Sequence, residues 1–155
     1  MVRSPIALWS PVEVRRTVAA PPEEVFAVLA EPRTYPAWLV GAQRIRSVDD
    51  AFPAEGAEFD HSVGPAKVAT IDDSSEVLEA DPPHRLSLLV RAGPLHARVD
   101  LLVLPAEEGS EVCFRERPIG WATVLTPFVR PSLHARNRES LRRLAGLVES
   151  RAVAG

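Results

Sequence analysis

The chain has 155 residues, 46% of them hydrophobic and 25% charged, with a net charge of −3. That length can bury a core as one domain, and the composition excludes wholesale disorder. The acidic balance excludes a chain that attracts nucleic acid as a whole.

Cys113 is the single cysteine, which rules out an internal disulfide and a cysteine-rich zinc site and fits a reducing, cytoplasmic setting. The N-terminal run Pro5-Ile6-Ala7-Leu8-Trp9 is too short for a signal-peptide core. No apolar stretch approaches the roughly 20 residues that cross a bilayer, so stable membrane insertion is not expected.

In chain order, Val12, Val14 and Val18 alternate with Glu13, Arg15 and Thr17, a period of two that predicts a half-buried strand. Ala20-Pro21-Pro22 ends it. Proline suits a first helical turn and acids there complement the helix dipole, so Pro22-Glu23-Glu24 predicts a helix start. Val25, Phe26, Val28 and Leu29 supply its apolar face until Pro32. Arg33 to Val40 reads as a second short helix, distorted by Pro36.

Strand signals then repeat over Gln43–Val48, Ala57–Val63, Lys67–Leu78, Arg85–Arg91, His96–Leu104 and Glu111–Arg117. Turn residues separate them at Asp49-Asp50, Gly64-Pro65, Asp81-Pro82-Pro83, Gly93-Pro94 and Glu107-Glu108-Gly109. Short connections predict an antiparallel meander, seven strands with the first. Pro118 to Pro131 is less regular. Leu133, Asn137, Leu141, Leu144 and Val148 recur at spacings of four, four, three and four, one face of a helix of about five turns. Residues 1–155 show no repeat and no linker, hence one domain with its core over about 12–151.

This order resembles the START-like helix-grip (SRPBCC) superfamily, in its polyketide cyclase/dehydrase and lipid-transport branch. The matching residues are Val14 and Val18 before Ala20-Pro21, then Glu24-Val25-Phe26, Tyr35-Pro36 and Trp38, and Asn137 four before Leu141. The resemblance implies an α+β fold: a curved seven-stranded antiparallel sheet wrapped around a long C-terminal helix, with two short helices after the first strand. It also implies a cavity that takes a hydrophobic or amphipathic small molecule, polyketide-, lipid- or quinone-like. The volume expected for such a cavity is roughly 300–1,000 Å3. The fold alone does not decide between a carrier and a cyclase or dehydratase.

Strand parity selects the inward side chains. Ala57, Phe59, His61 and Val63 form the apolar face of one strand, and Val112, Phe114 and Glu116 share a face of another. Leu86, Leu88 and Val90, and Leu95, Ala97, Val99, Leu101 and Val103, point inward. Ser87, Arg91, His96, Arg98, Asp100 and Cys113 point outward, and Leu89 fits neither face. The expected ligand contacts are therefore Trp38, Phe59, His61, Leu88, Val99, Leu101, Phe114, Glu116, Trp121, Asn137 and Leu141.

His61, Glu116 and Asn137 are the polar members. A carboxyl in an apolar cavity tends to be neutral, so Glu116 is a candidate general acid, and His61 a candidate proton carrier near neutral pH. Against this, Glu116 neighbours Arg115 and Arg117, which fits an ion pair. His61 fits a backbone hydrogen bond at the sheet rim, and Asn137 fits a loop contact. In the family layout His61 and Glu116 can face each other across a ligand. The resemblance to aromatase/cyclases implies a deep basic residue from the middle strands, where the inward positions read here are Phe59, His61 and Val63. Arg16 shares inward parity with Val14 and Val18 and either supplies an inward cation or lies at the strand edge and reaches water.

No metal or other cofactor is expected. The four histidines lack HxH or HxxxH spacing, and no GxSxG, P-loop or GxGxxG occurs. From Phe128 to Arg151 there are six Arg against two Glu. This basic helix is a solvated face or docks an acidic partner, such as a carrier protein or an anionic membrane surface. The chain is expected as a monomer or homodimer.

Overall fold

A seven-stranded antiparallel sheet in the order β1-β7-β6-β5-β4-β3-β2 carries the fold, in a computed structural model that describes residues 8–63 and 71–155. The strands are β1 (Val12–Val18), β2 (Ala42–Val48), β3 (Glu58–Val63), β4 (Ile71–Asp81), β5 (Arg85–Ala92), β6 (Leu95–Ala106) and β7 (Gly109–Ile119). Consecutive strands from β2 to β7 pair as neighbours, and β1 closes onto β7 with Val14 opposite Phe114. The start of the predicted strand Lys67–Leu78, the Gly64-Pro65 turn and the Val63 side chain lie outside the described residues.

Between the two edge strands the chain forms α1 (Pro22–Leu29), a 3-10 turn (Pro32–Thr34) and α2 (Tyr35–Trp38). Pro22 lies in the first turn of α1 with Glu23 and Glu24 beside it, and Val25, Phe26, Val28 and Leu29 are buried. The expected second helix over Arg33 to Val40 is shorter than its pattern suggested. Pro32 and Pro36 each remove a backbone donor, so only one 3-10 turn and one helical turn form.

The closing helix is longer than its apolar stripe. After a 3-10 segment (Gly120–Leu125), α3 runs 29 residues from Thr126 to Ala154 and passes through Pro131. Its first turns fall in the Pro118 to Pro131 stretch, whose pattern is less regular than the stripe from Leu133 onward. Asn137, Leu141, Leu144, Ala145 and Val148 are buried, and α3 packs mainly on β1 and α2. Burial of each Leu there contributes about 1.5–3 kcal/mol. Among the described residues, no helix is long and apolar enough to cross a membrane.

Parity holds, but the outer face is drier than parity alone implies. Cys113 points outward and is nevertheless fully buried, because Glu13, Arg15 and Arg115 join over it. Burial pushes its thiol pKa up, which makes it a poor nucleophile. Ser87 is also fully buried, donating to Asp100 Oδ1 at 2.6 Å beneath Arg85 and Arg98. Long Arg stems cover the outer sheet and account for both cases. Leu89 pairs with Glu76 and Arg98 on this outer face and is half-buried.

Candidate functional site

The sheet and α3 enclose a cavity of about 560 Å3, within the expected range. Its aromatic end is built by Tyr35, Trp38 and Phe59, and Phe114 lines it from β7. Tyr35 sits edge-on to Trp38 at 5.2 Å and to Phe59 at 5.4 Å, an arrangement that stiffens the wall. The polar tips of this end are already engaged. Tyr35 donates its hydroxyl to Leu29 O at 2.5 Å, and Trp38 Nε1 donates to Thr34 Oγ1 at 3.3 Å. Burial also raises the Tyr35 pKa far above its ordinary value. These rings therefore offer surface rather than proton chemistry.

Of the residues expected to meet a ligand, Trp38, Phe59, His61, Leu88, Val99, Leu101, Phe114 and Glu116 line the cavity. Three do not. Trp121 is 59% exposed and donates its indole N–H to Pro94 O at 3.1 Å, outside the wall. Leu141 is in the core between α3 and the sheet. Asn137 is fully buried beside the cavity, with its amide turned to Glu116. The helical period placed Asn137 and Leu141 on the inward face, but the cavity occupies only the N-terminal half of that face, around Val129 and Leu133.

Two polar stations interrupt the apolar wall. At the first, on β3 and β4, His61 Nε2 lies 2.9 Å from Ser75 Oγ. Ser75 is opposite Phe59 in the ladder and so sits diagonally from His61 on the same face. His61 is 3% exposed. Its burial lowers its pKa from 6.5, against an opposing pull from a hydrogen bond with the Ser74 backbone and from Asp73 and Asp60, so the neutral imidazole prevails at pH 7.

At the second station, on β7 and α3, Glu116 Oε1 accepts from Asn137 Nδ2 at 3.0 Å and from the Arg136 guanidinium. The carboxyl is therefore not surrounded by hydrocarbon alone, because Arg136 sets a cation against it. The ion-pair alternative read from the neighbours of Glu116 holds in kind, with the partner on α3 instead of β7.

His61 and Glu116 share this cavity but are not paired. Three strands separate β3 from β7, and four strand spacings of about 4.8 Å give roughly 19 Å along the sheet. Arg16 is exposed, which fits the reading in which it reaches water, so the inward cation does not come from β1. It comes from α3. Arg136 lines the cavity, three residues after Leu133 and seven after Val129, which is the helical spacing that could have revealed it. His96, expected toward solvent, is exposed and also lines the mouth with Leu95.

Most arginines of the basic helix have partners. Arg142 and Arg143 pair with Glu139, and Arg151 pairs with Glu31. The two arginines hold the Glu139 carboxyl at a pKa of about 2. No group of His, Cys, Asp and Glu among the described residues is arranged to hold a metal.

A family model described as polyketide cyclase / dehydrase and lipid transport matches residues 11–149. No curated protein matches the chain. Among solved structures, a Rhodobacter sphaeroides protein is similar with a TM-score of 0.73 and 24% identity, over 92% of this chain and 93% of its own. A Chromobacterium violaceum protein gives 0.72 and 20%, over 90% and 98%. The di-domain aromatase/cyclase StfQ of steffimycin biosynthesis gives 0.70 and 17%, over 93% of this chain and 52% of its own. At these identities the structures share the fold.

Proposed function

The chain belongs to the polyketide cyclase / dehydrase and lipid transport family, and on that premise we propose that it binds an elongated, mainly apolar small molecule carrying hydrogen-bonding groups. The observation that carries this reading is the 560 Å3 cavity with aromatic walls and two separated polar stations. Arg136 keeps guanidinium donors beyond those given to Glu116, and these suit a carbonyl or carboxylate oxygen. The Ser75–His61 pair suits a hydroxyl or carbonyl at the other end. Polyketide-, lipid- and quinone-like compounds all meet this description.

Native mass spectrometry of the protein purified without detergent tests it. The expected spectrum carries a mass excess of one small molecule that denaturation removes. A bare mass, together with no uptake of the apolar fluorophore 1-anilinonaphthalene-8-sulfonate, rejects the proposal.

One observation favours a second reading, a cyclase or dehydratase. His61 is a neutral imidazole inside the cavity, hydrogen-bonded to a hydroxyl, which is the form a general base needs. On this reading the wild-type protein converts the co-purified compound to a product of equal mass or lighter by one water, and His61→Gln slows that conversion at least tenfold. Unchanged compound after prolonged incubation leaves the carrier reading alone.

A further inference from the structure

We propose that the segment at the cavity mouth, formed by the β5–β6 hairpin, the 3-10 segment Gly120–Leu125 and the first turn of α3, docks on an anionic lipid bilayer surface. From Trp121 to Val129 there is no charged residue, and the segment is apolar on both of its sides. Ala122, Leu125 and Val129 face the cavity. Trp121, Val124 and Phe128 face solvent at 59%, 64% and 80% exposure. A helical segment apolar all round is ordinarily buried, so this one lacks a cover.

The hairpin extends the patch. Trp121 Nε1 is bonded to Pro94 O, which sets the ring against the hairpin beside the exposed Leu95. An indole with its N–H satisfied and its ring outward is the side chain favoured at a membrane–water boundary.

Charge selects the occupant. No Asp or Glu occurs from Arg117 to Arg138 or from Arg91 to Arg98, and the carboxylate that the fold brings to the hairpin, Asp73, is taken up by Gly93 N–H at 2.6 Å. Arg117 and Arg138, on either side of the segment in sequence, are exposed. Cations flanking exposed aromatic and aliphatic groups match anionic headgroups over acyl chains. The same turns line the cavity, so an apolar compound passes between acyl chains and cavity without crossing water. Docking itself requires no ligand, and its outcome is independent of what the cavity holds.

Co-sedimentation with vesicles of 70:30 phosphatidylcholine:phosphatidylglycerol tests the proposal, with pure phosphatidylcholine alongside. The wild-type protein is expected to bind the anionic vesicles at least tenfold more tightly and to release as salt rises. The double variant Val124→Ser/Phe128→Ser, altered only at exposed positions and checked for an unchanged melting temperature, should lose at least tenfold. No binding to anionic vesicles at low salt overturns the proposal, as does equal binding by the double variant. A wild-type dimer that the double variant converts to a monomer also overturns it, because a second copy then covers this face.

Discussion

Asn137 Nδ2 donates to Glu116 Oε1 at 3.0 Å, and this buried bond ties α3 to β7 at the edge of the cavity. Without Glu116 the Asn137 amide N–H loses its acceptor, and without Asn137 the Glu116 carboxylate keeps only Arg136; a buried polar group stripped of a partner costs about 1–3 kcal/mol. Asn137→Leu and Glu116→Leu should each lower stability by about that much. The double variant Asn137→Leu/Glu116→Leu should lose less than the two single changes together. Urea denaturation of the four proteins measures the coupling, and strict additivity would show that the pair does not act as a unit.

Gly109 opens β7 with φ +145°, and a Cβ there would meet Val18 O at 2.2 Å and Ala20 N at 2.8 Å. Positive φ costs a side-chain-bearing residue about 1–3 kcal/mol, and the clash with β1 adds to it. Gly109→Ala should therefore lower the unfolding free energy by about 2 kcal/mol or more. At Gly41, also at positive φ but with nothing within 4 Å of the same position, alanine should cost less. Melting curves of both variants decide the order.

The alternation of Val12, Val14 and Val18 and the spacing of Leu141, Leu144 and Val148 made the sheet and closing helix legible, because each period reports one buried face. Parity likewise brought His61 and Glu116 to the inner wall. Three things escaped. The start of α3 falls in the Pro118 to Pro131 stretch, whose pattern is less regular than the stripe from Leu133 onward. Arg136 was counted with a basic surface, since composition does not reveal which face of a helix a cation occupies. Ser75 gave no signal, because its partner His61 lies on another strand and only the β3–β4 register joins them. Where the cavity ends along α3 depends on packing, so Asn137 and Leu141 were placed on it although they belong to the core.

Acid should destabilise the fold through His61. Burial holds its folded pKa below 6.5, while the unfolded chain takes up the proton near the ordinary value. From about pH 6.5 downward the unfolded state therefore binds more protons, and stability falls until the folded pKa is passed. His61→Gln removes this contribution. Between pH 7.5 and 5, the melting temperature of the variant should fall less than that of the wild-type protein. Parallel curves would place the acid sensitivity on another group.

Val99 sits on β6 opposite Glu116, facing the cavity between the two polar stations, with 7% of its surface exposed. Replacing it with Trp puts a large ring into space that is otherwise open, so the ring fills the cavity instead of displacing core. Filling should leave stability unchanged or slightly raised, while the span from His61 to Arg136 is blocked. Val99→Trp should bind 1-anilinonaphthalene-8-sulfonate at least tenfold more weakly at an unaltered urea midpoint. Val103→Trp, at a fully buried position outside the cavity wall, should instead overpack and cost about 1–3 kcal/mol. Fluorescence titration and urea unfolding of the two variants separate cavity from core. Equal probe affinity in Val99→Trp and the wild-type protein would mean that the probe binds elsewhere.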